Sequence, residues 1–223
     1  MKILALDTST EHCSVAIWAD GELFARDILA GQRHSELLLP LVSEMLAERG
    51  LNLRELDGIA FGSGPGSFTG LRIGCGVAQG LAFGADLPVV GISTLLALAQ
   101  GTEGERVIAC LDARMGEVYH AVYERGAEGW REVSDPGLYA PQDAPMVAGD
   151  DWTGCGSGFA AYGEALCERY AGQLQTLIPG VFPQARDIAC LAAPLFERGE
   201  GMDAALAAPL YIRNKVALKT SER

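Results

Sequence analysis

The sequence predicts an α/β fold of two related lobes with a cleft between them, and three observations carry that reading. Strands, a hairpin signal, a helix and a β-α-β crossover follow one another in residues 1–101. Much of that order returns after residue 101. The spacing also returns: Asp7 precedes Gly21 by the same separation as Asp112 precedes Gly126.

In the first lobe, KILALD is a strand by composition, and CSVAIWA is a second, rich in β-branched and aromatic residues. Asp20-Gly21 is a two-residue hairpin signal. It leads into ELFARDIL and completes a three-strand meander. In HSELLLPLVSEMLAERG, residues Leu37, Leu38, Leu41, Val42, Met45 and Leu46 form a helical stripe. Ser35 fits an N-cap and Gly50 a C-terminal stop. Pro40 removes a helical hydrogen bond, so the first turn is expected to be irregular or the regular helix to begin later. A strand at Gly58–Phe61, the loop GSGPGSFTG, a helix from about Leu71 to Ala85 and a strand at Val89–Ile92 make a crossover between parallel strands. STLLALAQG reads as a short helix.

GTEGER reads as the break, giving lobes at 1–101 and 102–223. VIACLDARMGEVYHAVYERG then repeats strand, Asp turn, strand and turn, and GCGSGFAAYGEAL again sets a glycine-rich turn before a helix. The stretch Ser134–Pro145 has little pattern and reads as a long connection.

Of the 223 residues, 49% are apolar and 21% charged, an ordinary globular composition. No apolar run reaches membrane-spanning length. MKILALDTST meets Asp7 too early for the apolar region of a signal peptide, so a cytoplasmic protein is expected. Cys13, Cys75, Cys110, Cys155, Cys167 and Cys190 form no Cys-x-x-Cys pair, which favours buried free thiols over disulfides or zinc ligands. The formal net charge of −12 argues against a chain that grips nucleic acid alone. The basic cluster is confined to Arg213–Lys219 with Arg223.

Three motifs are candidates for chemistry. In GSGPGSFTG, Gly64, Gly66 and Gly70 permit close backbone approach, Ser67 and Thr69 can cap the following helix, and its first N–H groups favour an anion. A phosphate loop, however, needs Lys followed by Ser or Thr, and here Gly70 is followed by Leu71 and Arg72. A turn and a phosphate site both fit. In the helix that follows, Gly76, Gly80 and Gly84 recur on one face, at about 0.5–1 kcal/mol each relative to alanine. Close packing on the protein's own sheet and close packing on a partner helix both account for them. In LDTST, Asp7, Thr8, Ser9 and Thr10 could meet a phosphate or a hydrated metal, or could bond to their own backbone. The histidines His12, His34 and His120 form neither His-x-x-x-His nor His-Glu-x-x-His, and no Gly-x-Ser-x-Gly elbow is present. Asp112, Arg114 and Glu117 read as solvated turn residues. No catalytic set and no metal set assemble.

ILALDTST, HSELLLPLVSEML, GSGPGSFTGLRIGCGVAQGLA, VVGISTL and PLYIRNKVA together resemble the bacterial TsaB family, also called YeaZ. The resemblance runs from the first residues to the tail and is densest in residues 1–100. It implies the two-lobed fold of actin, sugar kinases and Hsp70. It implies a non-catalytic partner of TsaD, the enzyme that transfers threonylcarbamoyl to adenosine 37 of tRNAs reading codons that begin with A. The ATPase TsaE joins the pair, and tRNA is held through the complex rather than by this chain. TsaD carries a His-x-x-x-His metal motif that this chain lacks. Asp7, Thr8 and Ser9 match the family's first phosphate-type turn in vestigial form, which implies no tightly bound cofactor and at most weak ATP or ADP binding. The expected partner surface comprises Leu38, Leu41 and Met45 of the first helix with Arg72, Gly76, Gly80 and Gly84 of the second. Without TsaD the same surface could pair two copies. An independent ATP-using enzyme and a glycoprotease-type peptidase are the competing readings.

Overall fold

The computed structural model describes residues 1–212, so the basic cluster Arg213–Lys219 with Arg223 and the end of PLYIRNKVA lie outside the described residues. Two five-stranded mixed sheets form the framework. The first contains β1 (Lys2–Asp7), β2 (His12–Ala19), β3 (Glu22–Leu29), β4 (Gly58–Gly64) and β5 (Val89–Ser93), in the order β3-β2-β1-β4-β5. β1 pairs antiparallel with β2, Lys2 opposite Ala19 through Asp7 opposite Ser14, and parallel with β4, Ile3 opposite Gly58. Asp20 and Gly21 both take positive φ, 53° and 89°, as a tight hairpin of this type requires.

The second sheet repeats the plan with β6 (Arg106–Arg114), β7 (Glu117–Gly126), β8 (Gly129–Tyr139), β9 (Trp152–Gly156) and β10 (Leu174–Pro179), in the order β10-β9-β6-β7-β8. Matched in sequence order, the two sheets have the same topology, so the duplication expected from the order of elements is present. β8 occupies much of the stretch that sequence leaves as a connection. Two register breaks against β7 disturb its alternation, and Pro136 is tolerated because β8 is an edge strand.

Five helices, α1 (His34–Glu48), α2 (Phe68–Ala85), α3 (Thr94–Gln100), α4 (Ser157–Arg169) and α5 (Ala185–Glu197), cover the sheets. Strand alternation divides the first sheet's residues between two cores. Leu4, Leu6, Val15 and Ile17 pack on α1 and α2. Ile3, Ala5 and Ala16 pack on Ile188, Ala189 and Ala192 of α5. The second sheet does the same: Val107, Ala109 and Leu111 meet Leu95 and Leu98 of α3, while Ile108 and Cys110 meet Phe159 and Leu166 of α4. The helices that follow the last strand of each sheet are therefore exchanged. α3 serves the second sheet and α5 returns to the first.

Two local expectations are corrected. α1 starts at His34 after Arg33, without a side-chain cap, so Ser35 lies inside the helix. Pro40 neither delays nor ends it, because Pro40 is on the exposed side, where water can serve the carbonyl that its missing N–H leaves free. Gly50 does terminate α1. Its φ is 63°, and the N–H groups of Gly50 and Leu51 donate to the carbonyls of Ala47 and Leu46 at 3.0 Å each.

The exchanged helices should make the two sheets one folding unit. Replacing the fully buried Ile188 with alanine is expected to cost about 2–5 kcal/mol. Fluorescence of Trp152 and Trp18, which report on different sheets, should then move with far-ultraviolet circular dichroism in one shared transition. An early, separate loss of the first sheet would contradict the shared core.

Candidate functional site

The β4–α2 loop and the turn after β1 are built against each other. Asp7 ends β1, and its Oδ1 accepts from the backbone N–H of Ser9 at 3.0 Å and from the Ser9 hydroxyl at 2.9 Å. The Thr8 hydroxyl donates to the Gly70 carbonyl at 2.8 Å, and the Ser67 N–H donates to the Ser9 carbonyl at 2.7 Å. The loop's glycines follow from this contact. A Cβ at Gly70 would lie 1.9 Å from the Thr8 carbonyl oxygen. At Gly66 it would lie 2.5 Å from that of Ser9, and at Gly74 2.5 Å from the Thr8 hydroxyl. The glycines that could have cradled a phosphate instead receive the chain's own backbone. Asp7, Thr8 and Ser9 are each at most 2% exposed.

Asp7 is held in an unfavourable environment. Its Oδ2 has no hydrogen-bond partner and faces Gly62, where a Cβ would lie 2.0 Å away. Burial pushes the carboxyl up from 3.8 to about 7, against the two bonds from Ser9 that favour the charged form. Asp27 pushes it further in the same direction, while His12, whose Nδ1 is 2.8 Å from Asp27, opposes.

The second lobe closes its corresponding turn in a similar way. A Cβ at Gly156 would lie 2.2 Å from the Cys110 carbonyl, and one at Gly158 2.7 Å from the Cys110 side chain. The Asp112 N–H donates to the Ser157 hydroxyl at 3.1 Å. The Asp112 carboxylate accepts from the Arg114 N–H at 2.8 Å and from the Tyr162 hydroxyl at 3.2 Å, and pairs with the Arg114 guanidinium at 3.0 Å. Asp112 thus bonds to Arg114 and to α4.

His120 is buried, its Nε2 2.8 Å from the Tyr170 hydroxyl, which itself donates to the Pro145 carbonyl. That fixes the Nε2–H tautomer and leaves Nδ1 without a partner; burial lowers the imidazole to about 4. His34 Nε2 reaches the His12 carbonyl at 3.2 Å. Cys13, Cys75, Cys110 and Cys155 are buried and free, and burial raises each thiol. Among the described residues, no three His, Cys, Asp or Glu side chains stand close enough to hold a metal.

The expected partner surface separates into two parts. Leu38, Leu41 and Met45 do not face outward: they are buried in the first lobe's core with β2. Their stripe is the inner face of an amphipathic helix, satisfied by the protein's own sheet. Gly76, Gly80 and Gly84 are exposed, and a Cβ at any of them would meet nothing within 4 Å. Packing on the protein's own sheet is therefore not why they are glycine. Arg72 stands on the same side, its guanidinium 3.7 Å above the Phe68 ring and its Nε donating to the Tyr211 hydroxyl at 2.8 Å. Two residues on this exposed side escaped the sequence reading. Phe83, 79% exposed, sits one position off the glycine row, and Tyr211 lies far along the chain in a motif whose role no spacing reveals.

A family model described as TsaD, tRNA N6-adenosine threonylcarbamoyltransferase, matches residues 28–219. The chain is 40% identical to the tRNA threonylcarbamoyladenosine biosynthesis protein TsaB of Escherichia coli K12, over 98% of this chain and 97% of that one. The chain belongs to the TsaB family. The TsaB of Haemophilus influenzae is also 40% identical, over 98% of this chain and 96% of the relative. The solved structure titled YeaZ from Pseudomonas aeruginosa superposes with a TM-score of 0.86 at 40% identity, covering 94% of this chain and 99% of that one. A second solved structure, titled an uncharacterized protein with similarity to peptidase YEAZ from Pseudomonas aeruginosa, gives 0.88 at 39% identity, covering 95% and 99%. The duplicated sheets and exchanged helices are thus the TsaB family's version of the actin, sugar-kinase and Hsp70 fold.

The Asp7 carboxyl supplies a pH-dependent test. Its pKa is higher in the folded chain than in the unfolded one, so the folded state holds the extra proton between about pH 4 and 7. Stability is lost as pH rises through that window, and the full cost is present above it. At about 1.4 kcal/mol per pH unit, the upper bound is roughly 4 kcal/mol. Asp7→Asn keeps an acceptor for Ser9 and cannot ionise. Its thermal midpoint relative to wild type should be higher at pH 8 than at pH 5. A difference that stays flat across that range would show that Asp7 does not titrate there.

Proposed function

We propose that this chain is a non-catalytic partner of TsaD in forming N6-threonylcarbamoyladenosine at adenosine 37 of tRNA, with TsaE as the associated ATPase. The observation that carries the reading is the bare face of α2. Glycine at three exposed interior positions weakens a helix and brings no packing within the monomer, so another surface must approach it closely to justify it. The sequence has no His-x-x-x-His, and the fully buried His120 is bonded to Tyr170. The acidic body favours tRNA being held by the complex rather than by this chain. Among the described residues no helix is long and apolar enough to cross a membrane, and a tRNA-modifying role belongs in the cytoplasm.

Gly80→Leu tests the interface. Because the position is open, the variant should keep its circular dichroism and its thermal midpoint to within a few degrees. It should nevertheless lose capture by the TsaD of the same cell and, with it, tRNA modification in a reconstituted reaction. A folded variant that binds TsaD with wild-type affinity would remove the interface from this face.

The closed Asp7 turn supports a second expectation, that the isolated chain binds ATP or ADP weakly at most. Phosphate oxygens would have to displace the Ser67 and Gly70 backbone from Ser9 and Thr8. Calorimetry that gives submicromolar ATP affinity, abolished by Asp7→Ala, would favour the independent ATP-using enzyme instead.

A further inference from the structure

The motif PLYIRNKVA joins an anchored segment to a basic one. The first part is fastened to the body. The Leu210 N–H donates to the Ser63 carbonyl at 2.7 Å. Gly64, at φ 120°, makes room for that crossing, since a Cβ there would lie 2.8 Å from the Leu210 carbonyl oxygen. One residue on, the Tyr211 hydroxyl accepts from Arg72 Nε at 2.8 Å, and its ring centre is 5.5 Å from that of Phe68. Ile212 lines a small cavity with Pro65, Leu71 and, from the second sheet, Tyr119. The chain is thus held as far as Ile212, where the lobes meet at the N-terminal end of α2, beside its exposed face.

The basic cluster starts at the next residue. In residues 213–223, Arg213, Lys215, Lys219 and Arg223 stand against a single acid, Glu222. The rest of the chain is therefore more acidic than the whole, whose net charge is −12. Many cations of that body are engaged with its own carboxylates: Arg26, Arg33, Arg106, Arg131 and Arg198 each pair with a glutamate. We infer that residues 213–223 are this chain's contact with tRNA inside the TsaD complex, delivered to the edge of the partner face by the Leu210–Ile212 anchor. A nucleic acid offers a denser line of anions than a protein surface does, which favours RNA as the occupant. The contact is to phosphate, because four cations with no aromatic residue among them neutralise backbone charge and read no base. Fully extended, the segment reaches at most about 40 Å from Ile212, enough to pass beyond the edge of α2 onto an RNA held by the partner. It adds to an affinity supplied elsewhere, since the acidic body repels the same polyanion. The inference rests on the reading of this chain as a partner of TsaD in tRNA modification.

The test is fluorescence anisotropy of labelled, unmodified tRNA titrated with the TsaD complex of the full chain over a range of salt. Replacing all four cations, Arg213→Gln/Lys215→Gln/Lys219→Gln/Arg223→Gln, should weaken tRNA binding at least about tenfold near 0.1 M salt. The slope of log affinity against log salt should become shallower by roughly 2–3. Capture of TsaD and circular dichroism should stay at wild-type values. The charge-preserving exchange Arg213→Lys/Lys215→Arg/Lys219→Arg/Arg223→Lys should bind tRNA within a few-fold of wild type. If the fourfold variant does not fold, Lys215→Gln/Lys219→Gln replaces it, with about half the change in slope. Unchanged affinity and slope would overturn the inference. So would a loss of TsaD capture that accounts for the loss of tRNA, which would make the segment a protein contact. A wild-type pair that modifies no tRNA would sink the functional reading itself, whereas a neutralised variant that binds and modifies tRNA like wild type would sink this inference alone.

Discussion

The contact between the β4–α2 loop and the turn after β1 is the constraint on which the rest depends. Backbone meets backbone there: the Ser67 N–H on the Ser9 carbonyl, the Thr8 hydroxyl on the Gly70 carbonyl. The Thr94 hydroxyl donates to the Pro65 carbonyl and ties α3 to the same loop. Because Gly70 and Gly74 must face the turn, the rotation of α2 about its own axis is fixed. Leu71, Cys75, Ala78 and Ala82 then fall on the sheet side, and Arg72, Gly76, Gly80, Phe83 and Gly84 fall on the solvent side. The closed turn and the open face are two consequences of one packing decision.

The exchange of α3 and α5 bears on how rigid that decision is. Each sheet has one face covered by helices from its own half and the other by the helix that follows the opposite half's last strand. The second group shares a layer, with Ala97 of α3 in the same core as Ile188 and Ala189 of α5. The α5 N-terminus is also tied to β2, where the Ala185 N–H donates to the buried Ser14 hydroxyl at 2.9 Å. Relative movement of the lobes would break apolar cores on both sides at once, so the face of α2 is presented from a braced frame.

Much of this was legible in the sequence, and what was not has physical causes. Strand alternation, the Asp20-Gly21 turn and the Gly50 stop are local signals, and the structure follows them. β8 was hidden because bulges break its alternation, and Pro136 reads as a breaker when position at a sheet edge is unknown. Glycine was legible as a demand for close approach but silent about what approaches. Gly66, Gly70 and Gly74 receive the chain's own turn, while Gly76, Gly80 and Gly84 receive nothing from the chain. Leu38, Leu41 and Met45 misled because an apolar stripe looks the same in sequence whether it covers a sheet or a partner.

The closed turn also explains a cost that the fold does not relieve. A buried carboxylate oxygen without a donor is an unfavourable arrangement, and alanine at position 7 would avoid it. In a turn that met a phosphate or a hydrated metal, the same carboxylate would have had partners. Here the glycine loop has moved into that space, satisfying Thr8 and Ser9 but leaving Asp7 Oδ2 against the backbone of Gly62. The residue keeps a carboxylate in a turn that the loop's own backbone now packs against. The exposed α2 face has the opposite character: it is complete in outline and lacks only something to lie against it. The turn after β1 is thus filled from within by the β4–α2 loop, while the α2 glycine face meets nothing of the described chain.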